Sequence, residues 1–149
     1  MEVAELIGPE RVFAGLSVSD KAELLSVLAE QSSRYIGVPA DSILQALTKR
    51  ESFGSTGIGH GIAIPHTCVK GLRRPVGFFA RLERPIDFES VDGEPIDLAF
   101  LLLTPPTSLN ENVAALAAIS RRLRDASTLS SLRRSKTPEE IYNRLVDHL

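Results

Sequence analysis

The chain of 149 residues contains one cysteine, one methionine and no tryptophan, and aromatic residues make up only 5% of it. A single cysteine, Cys68, excludes an internal disulfide and suits a reducing compartment. With three histidines, His60, His66 and His148, and no motif spacing to Cys68, no metal site is expected. Charge of one sign is lacking too. Seventeen basic residues stand against nineteen acidic ones, a net charge of −2, so nucleic acid is not expected as a partner. Long apolar runs are absent. "LAFLLLTPP" is too short to cross a bilayer, and "MEVAELIGPERVF" carries acids where a secretory leader needs a basic start. A cytoplasmic protein without membrane insertion is expected. No internal repeat, P-loop or G-x-S-x-G elbow occurs.

What is present fits one globular domain over residues 1–149, with 43% hydrophobic and 24% charged residues. Apolar spacing predicts helices over about 20–36, opened by Ser19 or Asp20, and 41–50. "IAIP" reads as a short strand, and "VGFFARL" (76–82) and "DLAFLLLTP" (97–105) as stronger ones. The last is continuously apolar and is expected at the sheet centre, covered on both faces. Turn-rich "DFESVDGEPID" leaves room for a short edge strand. Ser108–Glu111 and Thr137–Glu140 are capping-box patterns. The first opens a helix expected to turn Val113, Leu116, Ile119 and Leu123 inward, and the second opens a terminal helix. A short helix over about 126–134 lies between them. Helices, then strands, then helices predict an α/β sandwich, a mixed β-sheet flanked by helices.

The chemistry concentrates in "GSTGIGHGIAIPH", residues 54–66. No Gly-Lys-Ser/Thr follows the glycines, and the loop follows a helix and opens a strand, so neither nucleotide fingerprint fits. Two readings stay open. The segment is a plain glycine-rich turn, or it is an anion-binding concavity made of backbone N–H groups, with hydroxyls at Ser55 and Thr56 and charge from Arg50. His66 follows a proline at the strand end, and histidine serves as a nucleophile in phosphoryl transfer.

Residues 50–66, "RESFGSTGIGHGIAIPH", closely resemble the active-site segment of IIA components of the bacterial phosphotransferase system. The likeness is to the fructose/mannitol class, especially its nitrogen-regulatory branch. It extends through "LERPIDFESVDGEPIDLAFLLLTP" to "SRRLRD" and "LRRSKTPEEIY". The resemblance implies that class's fold and a phosphocarrier, a phosphotransferase component that needs no cofactor. A small histidine phosphocarrier protein would donate the phosphoryl group to His66. Arg50 would contact it, with Ser55, Thr56 and Gly57 as further phosphoryl-binding positions.

One position departs from the pattern. The family's second histidine falls on Asn112, in "ENVAAL", while His60 stands where the regulatory branch often has asparagine. Either the two side chains have been exchanged across one phosphoryl pocket, or His60 is an exposed loop residue and Asn112 a helix-end polar group. Arg121, Arg122, Arg124, Arg133 and Arg134 form either a basic patch or, as favoured here, a solvated helix face; Cys68 reads as structural and His148 as solvated. A free-standing regulator with target proteins is favoured, since no IIB, carrier or membrane domain is attached. A sugar-transport IIA passing phosphate to a IIB domain, and a degenerate, non-phosphorylated binding module, are the alternatives.

Overall fold

The computed structural model describes residues 1–147, so His148 lies outside the described residues. Its axis is the long apolar strand. β6 (Ile96–Thr104) sends Leu98, Phe100 and Leu102 into one core and Ala99, Leu101 and Leu103 into a second. A strand buried on both faces needs no polar alternation, which is why this segment is continuously hydrophobic. Phe100 and Leu101 face opposite cores with no exposed surface, and truncating either to alanine costs about 2–5 kcal/mol.

β5 (Val76–Ile86) lies antiparallel to β6, and β1 (Val12–Leu16) runs parallel to β5. On the other side of β6, β3 (Ile62–Ala63) and β4 (His66–Cys68) follow one another, both parallel to it. β2 (Gly57–Gly59) folds back on β3 as a hairpin. Helices α1 (Lys21–Ile36) and α2 (Ala40–Ser52) cover one face. Helices α3 (Leu109–Leu123), α4 (Ala126–Arg134) and α5 (Pro138–Val146) cover the other. The expected α/β sandwich with a mixed sheet is the observed architecture.

The helix ends follow local chemistry. The Asp20 carboxylate accepts the Glu23 N–H at 2.8 Å, and Gly37 closes α1 with φ 77°. Thr137 caps α5 by accepting the Glu140 N–H at 3.1 Å, but the Glu140 carboxylate reaches back to the Lys136 N–H, one residue past the N–H that would close the box. Ser108 makes no side-chain cap at all, so the first expected capping box is absent. Val113 is exposed rather than inward, and Ala115 and Ala118 line the core in its place. Residues 87–95 form an irregular loop with a turn at 91–92, not an edge strand. They pack instead against the start of β2, where the Gly57 carbonyl accepts the Val91 N–H at 3.1 Å.

Candidate functional site

His66 is the first residue of β4 and pairs with Leu102. The preceding proline leaves its carbonyl free to accept the Leu102 N–H at 2.9 Å, which starts the strand there. The half-buried imidazole places Nδ1 2.7 Å from the Ile64 carbonyl oxygen. A carbonyl only accepts, so Nδ1 carries the proton and Nε2 keeps its lone pair. Partial burial disfavours the imidazolium and holds the His66 pKa below its ordinary 6.5. The Ile64 bond opposes this, the positive Arg50 adds to it, and the negative Glu51 opposes it, with a net effect downward. The result is a neutral nucleophilic nitrogen at pH 7.

Two elements bring the neighbours in. The β2–β3 hairpin pairs Gly57 with Ala63, and the Thr56 carbonyl accepts the Ile64 N–H at 3.0 Å. The last turn of α2 supplies Arg50, whose Nη1 donates to the Gly54 carbonyl at 3.0 Å. This bond leaves other guanidinium donors open.

Glu51 is the residue that sequence reasoning missed. Its side chain is 5% exposed. Oε1 accepts the Thr56 N–H at 3.0 Å, and Oε2 accepts the Thr56 hydroxyl. Lys21 Nζ lies 3.0 Å from Oε1 and 4.5 Å from the centre of the Phe88 ring. The carboxylate therefore locks the loop to α2 and α1. An acid next to a motif arginine was visible in "RES", but nothing in the sequence distinguishes a buried, fully bonded carboxylate from a solvated one.

The expected phosphoryl donors are already engaged. The Ser55 hydroxyl donates to the Phe88 carbonyl at 2.8 Å and accepts the Gly57 N–H at 3.0 Å. Both Thr56 donors go to Glu51. At Gly57 a Cβ would meet Ser90 Oγ at 2.3 Å, so this glycine accommodates Ser90. In this state Ser55, Thr56 and Gly57 shape the loop.

Asn112 lies in the first turn of α3, where Nδ2 donates to the Pro105 carbonyl at 2.7 Å. Its Oδ1 is buried without a partner. Pro105 follows Thr104, which pairs with Cys68 two residues beyond His66, so Asn112 stands at the His66 end of the sheet. His60 does not. Ile62 pairs with Leu98 and His66 with Leu102, four residue steps along β6, or about 13 Å, and His60 lies farther out still. The exchange of side chains across one pocket is therefore corrected by the register: His60 occupies the opposite end of the hairpin. Cys68 is exposed, and the Thr104 hydroxyl donates to its Sγ at 3.6 Å. No group of histidine, cysteine and carboxylate residues with metal-binding geometry occurs among the described residues.

Residues 5–148 match the family model for the phosphoenolpyruvate-dependent sugar phosphotransferase system, EIIA 2. The chain belongs to this family. It is 41% identical to a nitrogen regulatory protein of Bradyrhizobium diazoefficiens, over 96% of this chain and 94% of that one. The solved IIA-Ntr of Neisseria meningitidis superposes with a TM-score of 0.90 at 28% identity, covering 96% of this chain and 98% of that one. The IIA mannitol structure from Escherichia coli, at TM-score 0.77 and 21% identity over 93% and 97% of the two chains, shares the fold. This IIA component thus sorts with the nitrogen-regulatory branch. No helix among its described residues is long and apolar enough to cross a membrane.

Proposed function

We propose that this IIA component is a regulatory phosphocarrier that takes a phosphoryl group onto Nε2 of His66. The donor is the phosphohistidine of a small phosphocarrier protein, and the free and phosphorylated forms bind target proteins differently. The chain acts as a single IIA-type unit in the cytoplasm, without a cofactor.

The observation that carries this reading is the His66–Ile64 bond. With Nδ1–H held by the carbonyl, the Nε2 lone pair attacks phosphorus in line. The donor's P–N bond breaks, and its electron pair stays on the donor imidazole. Positive charge develops on the His66 ring, and the Ile64 carbonyl and the Glu51 carboxylate both favour it. Arg50 neutralises the phosphoryl oxygens. Little covalent chemistry is left to the protein, so positioning and charge stabilisation do the catalysis. Ser55, Thr56 and Gly57 hold the loop in register, and the second Nδ2 hydrogen of Asn112 serves a phosphoryl oxygen.

The regulatory role rests on the 41% identity to a nitrogen regulatory protein over 96% of this chain. Incubation with phosphoenolpyruvate, the system's first enzyme and its phosphocarrier protein, followed by intact mass measurement, tests the proposal. One phosphoryl group should appear and vanish on brief acid treatment. No mass gain, or an acid-stable one, overturns it.

A further inference from the structure

The hairpin end that carries His60 builds a second site. A groove of about 510 Å³ opens there between the β2–β3 turn and α3. Exposed Ile58, over buried Ile62 and Leu123, gives it an apolar side. Arg121 and Arg124 stand on its α3 wall together with Ser120, at spacings that share one helix face. No carboxylate lines it. Neither guanidinium has an ion pair or hydrogen bond among the described residues, although Arg121 also borders a groove lined by Glu2 and Asp125; Arg133, by contrast, forks onto Asp97 at 2.9 Å.

His60 forms the rim and is fixed from both sides. Its φ is 58°, its N–H donates to Asp92 at 3.2 Å, and its carbonyl accepts Arg133 Nη2 at 2.6 Å. The Asp92 carboxylate is itself engaged by the Glu94 and His60 N–H groups, which hold its pKa down. On the far side of His60 a shallower groove of about 430 Å³ presents Arg134 and Ser130, again without a lining carboxylate.

We propose that the groove between the β2–β3 turn and α3 binds a small organic phosphate with a ring-bearing apolar body, of the mononucleotide class. Two guanidiniums that make no bond to the protein match a phosphate in the bidentate manner that arginine favours. The apolar side calls for more than a bare ion, and the paired arginines for more than a neutral ring. The volume lies in the range of small-molecule sites, about 300–1,000 Å³. The site is separate from His66 and needs no phosphoryl transfer to fill.

The test is titration of the full, unphosphorylated chain with AMP, followed by backbone amide NMR, with adenosine and inorganic phosphate as separate arms. No phosphoryl donor is present, so the outcome does not depend on the phosphocarrier reading. Saturable shifts centred on His60, Arg121 and Arg124 are expected. Adenosine and phosphate should each bind at least about tenfold more weakly, as should AMP to an Arg121→Ser/Arg124→Ser double variant, the scale for losing charged hydrogen bonds. The exposed positions of both arginines make that variant compatible with folding, which its amide spectrum verifies. Absence of saturation, unchanged affinity in the double variant, phosphate binding as tightly as AMP, or shifts centred on Arg50–Thr56 overturns the proposal.

Discussion

Nδ1 of His66 and the carbonyl oxygen of Ile64 lie 2.7 Å apart, and this contact fixes which ring nitrogen is nucleophilic. Partial burial meanwhile holds the His66 pKa below 6.5. The rate of phosphoryl acceptance should therefore be flat between pH 7 and 8, a range set by ordinary histidine titration, and should fall only on acidification below about pH 6.5. Single-turnover labelling across pH checks this, and a midpoint above 7 contradicts it.

The same shift has a stability consequence. A depressed folded-state pKa means that the unfolded chain binds more protons as pH drops below 6.5. The neutral ring's contribution is intact above that value and is lost as pH falls through the folded pKa. Thermal unfolding of a His66→Gln variant should show a smaller loss of Tm between pH 7 and 5, the window given by histidine linkage. Parallel Tm profiles would show that the ring is not desolvated.

Arg50→Ala should slow transfer by about 10²-fold or more, the scale for one pre-organised group that stabilises developing charge. Folding should be little affected, because the Gly54 carbonyl that loses its donor lies in an exposed turn. Arg50→Lys should recover part of the rate, with point charge but no planar fork. Equal rates for all three proteins would make Arg50 a helix-end charge only.

Glu51→Ala removes the acceptor of both Thr56 donors and the partner of Lys21. A loss of about 1–3 kcal/mol is expected, since the two Thr56 donors are left unmatched while Lys21 keeps Glu89 at 3.4 Å. Glu51→Gln should restore part of the stability. Chemical denaturation measures both, and a loss for Glu51→Ala within experimental error would remove Glu51 from the loop's support.

Asn112→Ala should shorten the lifetime of phosphorylated His66 by loss of one charge-assisted hydrogen bond, about 1.5–3 kcal/mol. Hydrolysis followed by phosphorus NMR gives the rate. An unchanged lifetime confines Asn112 to its bond with Pro105.

Much of the fold was legible because it rests on strong periodicity. The apolar run of β6 and the Asp20 and Thr137 caps each act through local chemistry that a sequence displays. β1 was missed because it is short, contains Gly15 at φ 73° and is bulged, so its pairing with β5 is a tertiary fact. β2 was read as loop because two of its three residues are glycine, and only β3 makes it a strand. His66 and Arg50 were singled out through the motif. Glu51 was not, since its importance lies in burial. The exchange of His60 and Asn112 was suggested by the family pattern, whereas the strand register carries residues 60 and 66 to opposite ends and leaves His60 exposed, the other reading of that loop.

The central claim is that Nε2 of His66 receives the phosphoryl group. Long-range nitrogen–proton NMR on the phosphorylated protein identifies the modified ring nitrogen directly. The account predicts a single phosphohistidine at position 66, phosphorylated on Nε2 with Nδ1 still protonated, and no labelling of a His66→Ala variant. Phosphorus on Nδ1, or full labelling of the variant, would contradict it.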